Sequence, residues 1–361
     1  MSDSISSTWN ATWCKPSPLL AMCFAIGPSS RVDWSSSTLD SPVWKNEVIT
    51  PSESTSSLLY GATPKTSVNT FSAASRSATA IPRCSILFIC QRYVIPTFAV
   101  MNISLDGKHA LICGGSGGIG FAAATELATL GAQVTLMARN PEKLVEAVAQ
   151  LQPPAEGQHS FKVADFSNTQ NVGQAANEVV AEKGVDILIN NTGGPKGGPI
   201  SAAELSEFTN TFEQHLLCNH LLAQAVLPGM REKGSGRIIN VISTSVKSPL
   251  NGLGVSNTIR GAVANWSKTL ANEEGKYGIR INNVLPGATN TARLNDIIEA
   301  KSSKTGQSRE TIESNMIGII PAGRFGKPQE IGAAIAFLCT PAAEYISGIN
   351  LPVDGGRTTC L

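Results

Sequence analysis

The stretch Cys113-Gly114-Gly115-Ser116-Gly117-Gly118-Ile119-Gly120 puts five glycines into eight residues. It lies between a short apolar run, His109–Cys113, and an Ala-rich stretch, 121–131. A strand, a glycine turn and a helix in that order suit a dinucleotide pyrophosphate. The missing side chains let the backbone approach, and the helix start offers free N–H groups and a positive dipole end. Glycines also serve purely structural turns, so the strand–loop–helix setting carries this reading.

An acidic residue about 20 positions further on would bind a ribose 2′-hydroxyl. That region reads Leu136-Met137-Ala138-Arg139, without a carboxylate. Arg139 can meet a 2′-phosphate with its planar fork of donors, so NADP is expected rather than NAD. A solvent-exposed arginine at a strand end would look the same. Asp165, expected to end the third strand, could accept from the adenine amino group. Asn190-Asn191-Thr192-Gly193 is expected to end the fourth strand beside the cofactor.

These groups need a scaffold. The spacing predicts strands over His109–Cys113, 132–138, 159–166, 185–191, 236–243, 279–287 and 348–356. Helices are predicted over 121–131, 141–151, 168–184 and 207–230, and from 254 onward, where Ala262, Val263, Trp266 and Leu270 recur at helical spacing. Pro141 suits a helix start and Gly131 a helix end. Each strand is nearly all apolar, which means a parallel sheet covered on both faces: a doubly wound, single-domain α/β Rossmann fold of about seven strands.

Residues 1–100 differ from the rest. They hold about twenty serines, four of the five Trp and four of the eight Cys, and show no period of 2 or 3.6. This Ser-rich segment reads as a low-order extension or as sequence outside the native product; a secretory signal or transit peptide is the alternative. The apolar run 19–27 has nine residues, far short of the roughly 20 that span a bilayer. Of the chain's 28 basic and 27 acidic residues, 21 and 22 fall after residue 100. That balance, with no basic stripe, gives no pull toward nucleic acid or an anionic membrane. The Cys form no C-x-x-C pair, so no zinc site or disulfide framework is expected; Cys113, Cys218 and Cys339 read as small buried hydrophobes. A cytoplasmic protein without a metal is expected.

From residue 101 the chain resembles the short-chain dehydrogenase/reductase family, in its 3-oxoacyl-carrier-protein reductase-like branch. The resemblance rests on "CGGSGGIG", "NNTGG", "QAVLPGM", "GRIINVIS", "RINNVLPG", "PAGRFGKPQEI" and "INLPVDGG", in the family's order and spacing. It implies strand order 3-2-1-4-5-6-7, a nicotinamide cofactor, and a small or acyl-thioester carbonyl (or alcohol) substrate. It also implies a homodimer or homotetramer built from the long fourth and fifth helices, and a substrate lid over 292–325. As cofactor-binding positions it implies Gly114, Ser116, Gly118, Ile119, Gly120, Arg139, Asp165, Asn191, Thr192, Gly193, Arg260, Pro286, Gly287 and Thr291.

The family's catalytic set is Asn, Ser, Tyr and Lys. By position the serine is Ser243, but the tyrosine place holds Ser256, the lysine place Arg260 and the asparagine place His215. The only tyrosines after residue 100 are Tyr277, at the exit of the catalytic helix, and Tyr345, where the family has a packing tyrosine; neither is placed for chemistry. Reduction of a carbonyl builds an alkoxide, which must be stabilised and protonated. A tyrosine beside a cation can do both; Arg260 can only stabilise. Ser243 and Ser256 are expected to hold the oxygen, and Arg260 the ribose and the developing charge. His215 or Lys247 is expected to relay the proton through water. Bland roles stand beside these: an interface histidine, a solvated lysine, and an N-cap for Ser256. An NADP-dependent oxidoreductase is the first reading, and an inactive nucleotide-binding sensor or scaffold the second.

Overall fold

A computed structural model describes residues 101–360. The Ser-rich extension expected over 1–100 lies outside them. Seven parallel strands are β1 His109–Cys113, β2 Gln133–Ala138, β3 Ser160–Val163, β4 Ile187–Asn190, β5 Gly236–Val241, β6 Ile279–Pro286 and β7 Asn350–Val353. They form one sheet in the order β3-β2-β1-β4-β5-β6-β7, as the resemblance implied. The helices that position the site are α1 Gly118–Thr129, α2 Pro141–Ala149, α3 Thr169–Lys183, α4 Leu205–Phe212, α5 Cys218–Lys233, α6 Gly254–Glu274, α7 Ala292–Thr305, α8 Arg309–Ile317 and α9 Pro328–Cys339.

Local chemistry sets the element ends. Asn140 caps α2 by accepting from the Lys143 N–H, with Pro141 in the first turn. Asn168 caps α3 in the same way, and Gly184 ends it with φ +67°. One core cluster packs Leu127 of α1, Leu144 of α2 and Ile335 of α9 on one face of the sheet. The other packs Val172 of α3, Leu222 of α5 and Ala271 of α6 on the opposite face. Gly332 lets α9 cross α1 closely: a Cβ there would lie 2.8 Å from the Ala122 backbone.

Three expectations need correction. β3 is not buried on both faces. It is an edge strand whose exposure alternates, leaving Phe161 and Val163 at the surface. The helix expected over 207–230 is two helices joined by a π-helical turn, Glu213–Leu217, in which the Cys218 N–H reaches back to the Glu213 carbonyl. Tyr345 packs on none of the described residues and is fully exposed. Cys113, Cys218 and Cys339 are buried, as expected.

A ladder of asparagines crosses the middle of the sheet. Asn190, Asn240, Asn283 and Asn350 are paired in register on β4 to β7. Asn190 donates to Asn240 at 2.9 Å, Asn240 to Asn283 at 3.0 Å, and Asn283 to Asn350 at 2.8 Å. Asn240 also donates to Ser267 of α6 at 3.0 Å. The ladder ties β4 and β5, whose ends carry the site, to α6, which carries Ser256 and Arg260. Asn240→Ala strands a donor on Asn190 and an acceptor on Asn283. Each orphan costs about 1–3 kcal/mol. Thermal melting of that variant should fall by several degrees; an unchanged midpoint would show that the ladder holds nothing together.

Candidate active site

The glycine loop follows β1 and is shaped by contacts that exclude side chains. Gly114 and Gly118 have φ of +60° and +56°. A Cβ on Gly120 would lie 2.2 Å from the Gly114 carbonyl oxygen. Asn191 supports the loop from the end of β4, with Nδ2 3.4 Å from the carbonyls of Cys113 and Gly114. No side chain caps α1, so its first N–H groups are left to meet an anion. Ser116 and Ile119 are half-buried on this loop, and a Cβ at Gly117 would meet only open space. The Thr291 methyl lies 3.6 Å from where a Cβ on Gly118 would sit, so Thr291 faces the loop while also capping α7. Gly287, after Pro286 at the end of β6, packs tightly against Asp354. The loop and its surroundings fit a dinucleotide phosphate.

Arg139 and Asp165 line one recess of about 490 Å³ with Asn140, Pro141, Val163 and Asn171. Asp165 lies two residues beyond β3 rather than ending it. Hydrogen bonds from Ser167 hold its carboxyl below the ordinary carboxylate range, with a smaller contribution from Arg139. Arg139, the residue after β2, is exposed and lines the recess.

The other half of the site lies past β5. Ser243 follows that strand, and its Oγ accepts from the Ser245 N–H at 3.1 Å. Ser256 is not an N-cap: α6 starts at Gly254, Leu253 occupies the cap, and Ser256 lies within the first turn. Arg260, one turn on, donates Nε–H to Ser256 Oγ at 3.3 Å. Its Nη1 donates to the carbonyls of Val241 and Ile242 at 3.3 and 3.0 Å, immediately before Ser243. The guanidinium is buried, 8% exposed, and burial with the nearby charge of Arg293 brings it down to about 10.

His215 sits on the π-helical turn, buried. Its Nδ1 is 2.7 Å from Thr192 Oγ1, while Nε2 is buried without a partner. Burial, then the Arg260 charge, lowers its pKa to about 3. The ring is therefore neutral at physiological pH and stores no proton. Thr192 and Gly193 lie in the loop after β4, so His215 joins that loop to the helix opposite. This bond was not visible in the sequence, although π turns often mark functional positions. Lys247 is not brought into this cluster: among the described residues its side chain makes no hydrogen bond or ion pair, and its carbonyl accepts from Cys360. Tyr277 lies beside Arg231 and Lys276, remote from the site. Among the described residues, no three His, Cys, Asp or Glu gather to hold a metal.

The arrangement offers two hydroxyls, a buried cation and a neutral imidazole beside a phosphate cradle. The family described as "Enoyl-(Acyl carrier protein) reductase" matches residues 114–358. The 7alpha-hydroxysteroid dehydrogenase of Escherichia coli (strain K12) is 32% identical over 257 residues, 71% of this chain and 96% of that protein. The 3-oxoacyl-[acyl-carrier-protein] reductase FabG of Vibrio cholerae is 33% identical over 258 residues, 70% and 98% of the two chains. The crystal structure of L-sorbose reductase from Gluconobacter frateurii, complexed with NADPH and L-sorbose, aligns with TM-score 0.67 at 31% identity, covering 72% of this chain and 100% of that one. The chain belongs to the short-chain dehydrogenase/reductase family.

The low pKa of His215 has a consequence for stability. Above pH 6.5 the ring is neutral in both folded and unfolded chains. Below it the unfolded chain takes up a proton that the folded chain refuses, so this stability is lost as the pH falls toward 3. Urea melts should show His215→Asn losing less stability than the parent between pH 6.5 and 4. Equal losses would contradict a buried neutral ring.

Proposed function

We propose that the protein is an NADP-dependent oxidoreductase that reduces a carbonyl group, or oxidises the alcohol, at Ser243, Ser256 and Arg260. The observation that carries this reading is the buried Arg260 guanidinium, bonded both to Ser256 and to the carbonyls just before Ser243. The family's tyrosine and lysine are replaced here by groups that still touch one another. A broken site would have no reason to keep a buried cation in contact with both serine segments.

The glycine loop, the α1 N-terminus, Thr291 and the Pro286-Gly287 turn would hold the cofactor phosphates and nicotinamide end. Arg139 would meet the 2′-phosphate, and Asp165 the adenine. Asn191, Thr192 and Gly193 would border the nicotinamide ribose. The cofactor, when bound, supplies the hydride. The hydroxyls of Ser243 and Ser256 donate to the substrate oxygen, and Arg260 balances the charge that develops there. A proton must also reach that oxygen. Solvent supplies the net proton: Nε2 of neutral His215 accepts one from a water as Nδ1–H passes one to Thr192 Oγ1, whose own hydroxyl proton moves on toward the substrate oxygen. Lys247 is the second source, reached through solvent. The same reading expects a cytoplasmic homodimer or homotetramer that binds neither nucleic acid nor membrane. Among the described residues, no helix is long and apolar enough to cross a membrane.

A nucleotide-binding sensor or scaffold is the second reading, favoured by the absence of a tyrosine at Ser256. The two separate in one experiment on the full chain: NADPH oxidation against 3-oxoacyl thioesters, diketones, quinones and oxo acids, with NADPH binding followed by fluorescence. Turnover that falls by about 10²–10³ in Ser243→Ala supports the reductase, that being the usual cost of losing an oxyanion donor. Tight binding without turnover supports the sensor. In the same assay Arg139→Gln should weaken NADPH binding by roughly tenfold or more and leave NADH nearly unchanged, because the lost fork served only the 2′-phosphate. Equal effects on both would remove Arg139 from the cofactor site.

A further inference from the structure

Five of the arginines in the described residues meet a glutamate: Arg231, Arg237, Arg280, Arg309 and Arg324. Arg260 and Arg293 do not, and they lie together. A Cβ added to Gly194, in the loop after β4, would be 3.6 Å from Arg260 Nη2. It would be 3.8 and 4.0 Å from Nη2 and Nε of Arg293. Arg260 spends Nε and Nη1 on Ser256 and two carbonyls, which leaves Nη2 without a protein partner among the described residues. Arg293 is held by one bond, Nη2 to the Pro195 carbonyl at 2.6 Å. Asp296, one turn along α7, forms no ion pair with it within 4.0 Å. Gly194 thus separates two guanidiniums with free donors and, among the described residues, no anion between them.

Such a pair repels itself, and one member is buried; both costs fall when an anion lies between the two forks. The cofactor pyrophosphate belongs elsewhere, at the start of α1. The Arg260–Arg293 pair is on the Ser243–Ser256 side, and Arg293 is the second residue of the first lid helix. We propose that Arg293 and Arg260 form a carboxylate subsite for the substrate, making the reduced compound an oxo acid; this rests on the reductase reading above. Planar guanidinium forks match a carboxylate bidentately. Placing one fork on α7 and the other on α6 makes the anion a bridge that draws the lid onto the site.

The test does not depend on turnover. Malonate, malonamide and inorganic phosphate are titrated calorimetrically into the full chain, with and without saturating NADPH. Malonate is expected to bind at least tenfold more tightly than malonamide, and more tightly than phosphate. Arg293→Gln should lose that preference at least tenfold, and Arg293→Lys should recover part of it. NADPH affinity and the melting midpoint of both variants, measured alongside, identify any general loss of structure. Equal binding of malonate and malonamide, a preference for phosphate, or malonate binding indifferent to Arg293→Gln would overturn the subsite. Failure to reduce any carbonyl would instead strike the reductase reading and leave Arg293-dependent malonate binding to be judged by itself.

Discussion

Burying the charge of Arg260 costs several kcal/mol unless its surroundings answer it, and they do so with dipoles rather than a carboxylate. Two backbone carbonyls at the end of β5 and the Ser256 hydroxyl take three of its contacts. The other features of the site follow from that choice. A carboxylate of the protein would have occupied Nη2, which instead faces Gly194 and the Arg293 side. Neutral acceptors leave the charge in place but hold its direction. His215 is held neutral chiefly by burial, with the Arg260 charge adding to it. Arg293, also within reach, adds like charge that lowers the Arg260 pKa further.

The scaffold makes this possible by rigidity at the strand ends. The asparagine ladder fixes β4 through β7 against one another and ties β5 to α6 through Ser267. Side-chain amides pointing along one line polarise each other and tolerate little slip. The loop after β4 carries Asn191 beneath the glycine loop, Thr192 on His215 and Gly194 between the two arginines. One short segment therefore touches the glycine loop, His215 and the two arginines. A shift of β4 would disturb all three at once.

Much of the fold was legible in the sequence because buried parallel strands are written as unbroken apolar runs. His109–Cys113 and the runs within 132–138 and 236–243 read directly. The edge strand misled that reading: Ser160-Phe161-Lys162-Val163 alternates because one face meets solvent, a pattern plain in its residues. The π-helical turn was not legible, since Glu213 to Leu217 has the composition of an ordinary helix. It is a tertiary contact, Thr192 with His215, that gives the wider turn a purpose. The placing of Ser256 and Arg260 one turn apart was legible from their spacing of four, but the bond between them was not. Nor was the convergence of Arg260 and Arg293, because an arginine among the mixed charges of α7 looks like a solvated one. Lys247 shows the reverse: a reactive residue type near Ser243 in sequence, with no contact that brings it to the site.

Whether hydride transfer to a carbonyl persists without the tyrosine can be read from the product. The most direct measurement is the fate of deuterium carried on the transferring position of NADPH, followed by mass spectrometry of the product formed by the full chain. One deuterium on the carbinol carbon and a primary isotope effect on turnover are expected, with turnover lost when Ser243 and Arg260 are replaced together. Product lacking deuterium, or unchanged turnover in that double variant, would contradict hydride transfer at this site.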